Sequence, residues 1–277
     1  MGAEPENASF VKWLRALLQP LRIPETVGLD LDDPSTTLLH RDIIRAKPFL
    51  KAIYVDWYRS LARWDGGLSG PRLEIGSGGG FLPEVIPGTM TSDVLALPHL
   101  DHQISGEKLP FEDGTLAAIY LVNTLHHVPQ PAQLLREAER CLMPGGRLVC
   151  LEPAPTLFGR FIYRWLHHEP CDLGAGRELD RSDGPLSHSN SALPWIWFVR
   201  DAHLFQAEFP GLRQVALFYH TPLRYLLSGG VSFRCVLPAA SHGLMLGLET
   251  LLQPLSPWSG MFMTIVLERQ GFRAQTS

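Results

Sequence analysis

A Rossmann-like α/β fold, a mostly parallel sheet with helices on both faces, is predicted by three observations. The first is the stretch 71–84, where the short apolar run Leu73-Glu74-Ile75 breaks into Gly76, Gly78 and Gly80 and then turns helical, reading as strand, tight turn and helix start. Glycine lets the backbone take positive φ and approach a ligand closely, and the next helix is expected to turn its free amides toward it. The second observation is that further strand-like runs, Met90–Val94 and Ala117–Val122, follow in order. The third is the Pro-Gly-Gly turn at 144–146, which follows a helical segment and opens another such run. Asp93 closes the second strand at the distance where doubly wound sheets place an acid near ribose hydroxyls. The position of the third glycine in the dinucleotide fingerprint is Phe81, which argues against an NAD-dependent oxidoreductase. No G-K-[ST] follows the glycines, which argues against a kinase or NTPase.

Five segments in order carry a resemblance: the acid-x-G-x-G-x-G of Glu74 to Gly80, Asp93, Leu109-Pro110-Phe111-Glu112-Asp113-Gly114-Thr115-Leu116, Asn123-Thr124-Leu125-His126-His127-Val128, and Leu142-Met143-Pro144-Gly145-Gly146-Arg147-Leu148-Val149. Together they resemble the class I S-adenosylmethionine-dependent methyltransferases. Within that class they resemble the bacterial type 11 family, which includes the ubiquinone and menaquinone C-methyltransferases. The resemblance implies a seven-stranded sheet, S-adenosyl-L-methionine as cofactor and S-adenosyl-L-homocysteine as product. It places Glu74, Gly76, Ser77, Gly78, Gly80, Asp93, Ser105, Gly106 and Asn123 around that cofactor. It also points to His126, because phosphoethanolamine methyltransferases carry a catalytic histidine after a similar strand, paired with an N-terminal tyrosine. Three departures stand out: Ser105 where the family has an adenine-binding Asp, Ala117 where it opens strand four with Asp, and a 93–101 stretch too short for the usual helix.

The remaining sequence is expected to form additions to a single domain: a helical cap over 1–65, the cofactor core over 71–153, and substrate or lid segments over 154–211 and 221–260. Phe10, Trp13, Leu14, Leu17 and Leu18 recur at helical spacing before Pro20; they pack on the domain or lie on a membrane surface. Residues 34–65 read as two helices split by Pro48, from which Tyr54 and Tyr58 reach the pocket or serve the core. A short amphipathic helix is expected around Phe158–Leu166, and a lid or disordered loop over 169–192. The aromatic helix Pro194–Phe209 packs in the core or lines a pocket. Leu212–Tyr219 and Met261–Leu267 read as terminal strands around an insertion. The uncharged run Cys235–Leu248 in that insertion is too short to cross a bilayer, so it is expected to form a buried or interfacial helix.

Twenty-four Lys and Arg against 28 Asp and Glu leave a net charge of −4, with no basic excess to indicate nucleic acid. Four cysteines without C-x-x-C spacing fit a reducing cytoplasm, with peripheral contact at the inner membrane face as the variant reading. His126 or His127, at the carboxyl edge of the sheet, is the candidate base for a hydroxyl or phenol acceptor. His167, His168, Glu169, Cys171 and Asp172 have no zinc-like spacing; a solvated loop and no metal are expected. The reaction these features favour is O-methylation of a small lipophilic or lipid-linked hydroxyl. The alternatives are C-methylation of a quinone-like ring and a non-catalytic interaction module that keeps the nucleotide fold.

Overall fold

The computed structural model describes residue 13 and residues 16–167, 169–179, 184 and 186–271. Seven strands make one sheet: β1 (Arg72–Ile75), β2 (Thr89–Asp93), β3 (His102–Gln103), β4 (Leu116–Val122), β5 (Leu142–Pro153), β6 (Leu212–His220) and β7 (Phe262–Arg269). Their order is β3-β2-β1-β4-β5-β7-β6. The first five are parallel, and β7 runs antiparallel between β5 and β6. The order reverses between β1 and β4, so their carboxyl ends open the crevice where such sheets bind ligands.

Each face of the sheet carries its own apolar core. On one side lie α1 (Pro34–Ala46), capped by the Asp33 side chain accepting from the Ser35 amide, and α2 (Pro48–Arg63). Leu50, Ile53, Tyr54, Trp57, Tyr58 and Leu61 recur every three or four residues along α2 and bury one stripe against Tyr120, Val149 and Leu151 of the sheet. On the other side, α3 (Pro131–Cys141) packs with the aromatic segment. That segment is broken into α5 (Leu193–Trp195), a π-helical turn Ile196–Arg200 and α6 (Ala202–Glu208), following the short α4 (Leu157–Trp165) in the chain. Trp197, Phe198, Phe205 and Phe209 are buried there, which settles their place in the core.

One expected helix is absent. Between the glycines and β2 there is only a 3-10 turn, Leu82–Glu84, because Pro83 and Pro87 leave too few residues between them and Pro87 cannot continue a helical ladder. The stretch after Asp93, read as too short for the family's usual helix, is a loop. Of the N-terminal helix, Phe10, Leu14 and Arg15 lie outside the described residues, while Trp13 and Leu17 are exposed.

The insertion between β6 and β7 holds α7 (Arg224–Ser228), α8 (His242–Leu251) and α9 (Ser256–Ser259). A buried ion-pair cluster ties it to the cap. Arg224, 5% exposed in its side chain, pairs with Glu249 at 2.6 Å and with Asp56 of α2 at 2.6 Å. Glu249 also accepts the amides of Leu223 and Arg224. Among the described residues no helix is long and apolar enough to cross a membrane. Replacing Arg224 by Met strands Glu249 as a buried charge; denaturant unfolding is expected to show a loss of about 3–5 kcal/mol.

Candidate active site

The glycine loop is held from four directions. Gly76 has φ 68° and Gly78 φ 48°, both in the left-handed region. A Cβ on Gly76 would collide with Thr124, whose hydroxyl donates to the Gly76 carbonyl at 3.2 Å. The Gly78 amide donates to Asp93 Oδ2 at 2.9 Å, and the other oxygen of Asp93 accepts from Leu95. His99, in the loop that stands where a second helix was expected to be short, donates Nε2 to the Gly78 carbonyl at 2.9 Å. From the cap, Arg41 donates to the Gly80 carbonyl and the Tyr58 hydroxyl accepts the Phe81 amide. Ser77 is buried, its hydroxyl accepting the Ser92 amide. Tyr58 is thus a structural tyrosine that shapes the loop.

At the base of this loop Glu74 is 1% exposed, and its Oε2 has no hydrogen-bond partner. Burial, with the nearby Asp93 adding to it, raises this carboxyl to about 8. A buried carboxyl with one oxygen lacking a partner, near Gly78, whose Cβ position has no neighbour closer than 3.8 Å, suits a ligand carrying an ammonium group. Ser105 is engaged locally, its hydroxyl accepting the Glu107 amide at 3.2 Å, and Gly106 packs where a Cβ would press on Leu134 and Ile75. Asn123 holds φ 53° at the end of β4 and donates its amide to Leu151.

The second half of the site begins one turn later. Glu152, fully buried on β5, accepts the amides of Thr124 and Leu125 with Oε1, at 3.0 and 2.7 Å, and bonds His126 Nδ1 with Oε2 at 2.7 Å. His126 Nε2 faces Glu169 Oε2 at 3.3 Å, and His127 Nε2 faces Glu169 Oε1 at 3.5 Å. The expectation of a solvated loop at 167–172 is therefore corrected for Glu169, which folds inward onto the histidine pair. The loop is anchored there by the Asn190 amide donating to His126 O, by Asn190 exchanging bonds with Asp172, and by the Leu179 amide on Pro129 O.

The two histidines differ in charge. Burial disfavours a cation at His126, yet the carboxylates of Glu169 and Glu152 outweigh it and raise the imidazole to about 10, so His126 is cationic at neutral pH. Burial and the adjacent His126 charge lower His127, which stays neutral, and its Nδ1 is buried without a partner. Glu169 is held well below the usual range, since the His126 cation overcomes the cost of its burial. These same three residues are the one group among those described whose ligand atoms, all within 4.8 Å, converge as metal donors would. A buried aromatic cluster lies on the side of Glu169 that faces Tyr225: Trp57 stacks on Tyr225 at 5.5 Å, and Phe262 packs on both. Tyr225 is raised to about 12 by burial and by the charge of Glu169.

Sequence reasoning missed Glu152, Tyr225, Arg41 and His99. Glu152 had a readable signal, a charge ending the apolar run Leu148–Leu151, which needs a partner inside the fold.

This sheet order, with its reversed last strand and a glycine loop at the crevice, is the class I methyltransferase fold. Residues 96–150 match the sequence model of the family described as "Methyltransferase domain". The chain is similar to the ubiquinone/menaquinone biosynthesis C-methyltransferase UbiE of Bartonella henselae, 46% identical over 85 residues that cover 30% of this chain and 32% of the relative. It is also similar to the demethylmenaquinone methyltransferase of Bacillus mycoides, 40% identical over 53 residues, 19% of this chain and 22% of that one. The chain thus spans about a third or less of the length of these relatives. A solved SAM-dependent methyltransferase from Archaeoglobus fulgidus covers 79% of this chain and 94% of its own, with TM-score 0.48 and 13% identity.

Glu74→Gln separates the cost of the buried acid from its use. A carboxyl raised from 4.5 to about 8 binds more protons folded than unfolded between those values, so its contribution to stability falls as pH rises through that window. The Gln variant is expected to melt at least about 2 °C higher than wild type at pH 9 and to match it near pH 4. Differential scanning calorimetry at the two pH values checks this.

Proposed function

We propose that the chain transfers a methyl group from S-adenosylmethionine to a hydroxyl or phenol on a small lipophilic acceptor. The observation that carries the reading is the open, buried oxygen of Glu74 beneath the positive-φ glycines. When bound, the cofactor supplies an electrophilic methyl on a sulfonium. Glu74 takes the ammonium of its methionine part, and Asp93, whose oxygens keep free lone pairs beyond the Gly78 and Leu95 bonds, accepts from the ribose hydroxyls. The glycine loop excludes water and sets the direction of approach.

On the acceptor side the charge states favour His127 over His126 as base. His126, cationic between Glu152 and Glu169, has no free lone pair; it orients Glu169 and offsets its charge. His127 receives the hydroxyl proton at Nδ1, the buried ring atom that lacks a partner, while Nε2 remains toward Glu169. Methylation of the oxygen then leaves an imidazolium beside a carboxylate, which stabilises it. The buried aromatic cluster of Trp57, Tyr225 and Phe262 makes the surroundings of Glu169 apolar, which supports a flat or greasy acceptor. The two quinone-pathway relatives favour a second reading, C-methylation of a quinol ring, in which the same groups hold a ring hydroxyl as its anion.

Calorimetric titration is expected to give micromolar binding of S-adenosylmethionine and S-adenosylhomocysteine and none of NADH. Gly78→Arg should abolish it, since the new side chain needs a strained φ and fills the loop. Absence of binding to wild type would overturn the proposal. In a screen of quinols and hydroxylated lipids, His127→Ala is expected to lose about 10²-fold or more in kcat with unchanged cofactor affinity. Product mass and NMR then distinguish an O-methyl from a ring C-methyl.

A further inference from the structure

The insertion between β6 and β7 carries a surface that methyl transfer does not explain. From Cys235 to Met261 the only formally charged residue is Glu249, and it points inward to Arg224. The outward face is apolar. Leu244, Leu248, Leu251 and Leu255 follow at spacings of four, three and four along α8 and the turn after it, and Leu244 and Leu251 are 77% and 79% exposed. Trp258 of α9, 57% exposed, stands beyond them. Ordinary surfaces scatter such side chains singly, and a continuous uncharged stripe marks a contact surface.

The neighbourhood of the stripe identifies what it meets. A shallow groove between α8 and α2 is lined by Lys51, Val55, Arg59, His242 and Leu246, so cationic side chains stand beside the apolar face; of these, Lys51 also lies 3.9 Å from Glu84 and over the Phe81 ring. Asp56, in the same groove, is already engaged by Arg224 and His242. An apolar stripe next to a basic groove, with an indole at its border, complements acyl chains next to anionic headgroups. A second copy docked face to face across a two-fold would set the same Lys51 and Arg59 groove against itself, like charge toward like. The ten residues of α8 are too few to span a bilayer, so it lies in the interface.

We propose that α8 and the turn to Trp258 dock the protein on an anionic phospholipid surface, the leucines entering the acyl boundary and Lys51 and Arg59 meeting lipid phosphates. The α7 segment behind α8 carries Tyr225, so this orientation sets the buried cluster of Tyr225, Trp57 and Phe262 on the bilayer side of the protein. The proposal goes beyond the reaction reading and stands without it.

Vesicle flotation tests it, with phosphatidylcholine alone and with phosphatidylcholine mixed with phosphatidylglycerol. Wild type is expected to float with the mixed vesicles, less with phosphatidylcholine alone, and less again at high salt. Leu244→Asp with Leu251→Asp should lower the bound fraction about tenfold or more. Arg59→Glu should remove the preference for phosphatidylglycerol. Melting temperature and S-adenosylmethionine affinity, measured separately on each variant, are expected to match wild type, since these side chains touch neither core nor glycine loop. Three results would overturn the proposal: no flotation with either vesicle, flotation that survives the double substitution, or light scattering that shows a dimer dispersed by it, which would give the face to a second copy.

Discussion

One buried carboxylate, Glu152, sets the geometry on which the candidate site depends. It ends a strand that is apolar on both sides, and it is tolerated there because both oxygens are used. One oxygen takes the two amides at the start of the turn after β4, and the other takes the ring of His126. Thr124, fixed by the same oxygen, occupies the space a Cβ on Gly76 would need. His126, fixed by the other, is the cation onto which Glu169 folds. The glycine loop, the histidine pair and Glu169 are thus linked through a single side chain. Removing its charge would leave amides and an imidazolium buried without their acceptor.

The two halves of the site are built on opposite electrostatic logic. Around His126 the two carboxylates, Glu152 and Glu169, share one imidazolium as counter-charge, which leaves the cluster a single negative charge in excess. Glu74 lacks that compensation: its burial raises it to about 8, and one oxygen is left open. Natural structures retain an unsatisfied buried acid where a ligand completes it, at some cost to the unliganded fold. The tight bracing of the glycine loop by Asp93, His99, Arg41 and Tyr58 fits this division, since a loop fixed in advance loses little entropy when a ligand arrives.

Much of the architecture was legible in the sequence because it is written in local patterns. The strands at 72–75, 89–93 and 116–122 and the two helices split by Pro48 are set by apolar runs, period and proline placement. The helix expected after the glycines failed on local chemistry too, through Pro83 and Pro87. The acceptor half was much less legible. Glu152 and Tyr225 act through tertiary contacts between distant segments, and spacing along the chain does not encode them. Glu169 was visible as one of a cluster, but its inward fold depends on tertiary contact with His126 and His127, and Glu152 of β5 orients the first of these. The exposed stripe on α8 lay between two readings, buried or interfacial, because ten mostly apolar residues have the same period in either place; the partners of Arg224 and Glu249 decide which side turns outward.

The most direct test of this account is the proton balance of cofactor binding. Calorimetric titration of S-adenosylmethionine at pH 7, in two buffers of different ionisation enthalpy, reads protons released on binding. A neutral Glu74 that ionises against the incoming ammonium predicts release of up to about one proton by wild type, and none of that release by Glu74→Gln, which should also bind more weakly. Binding of equal strength in both proteins, with the same proton balance, would show that the cofactor does not use this carboxyl and would contradict the site proposed for it.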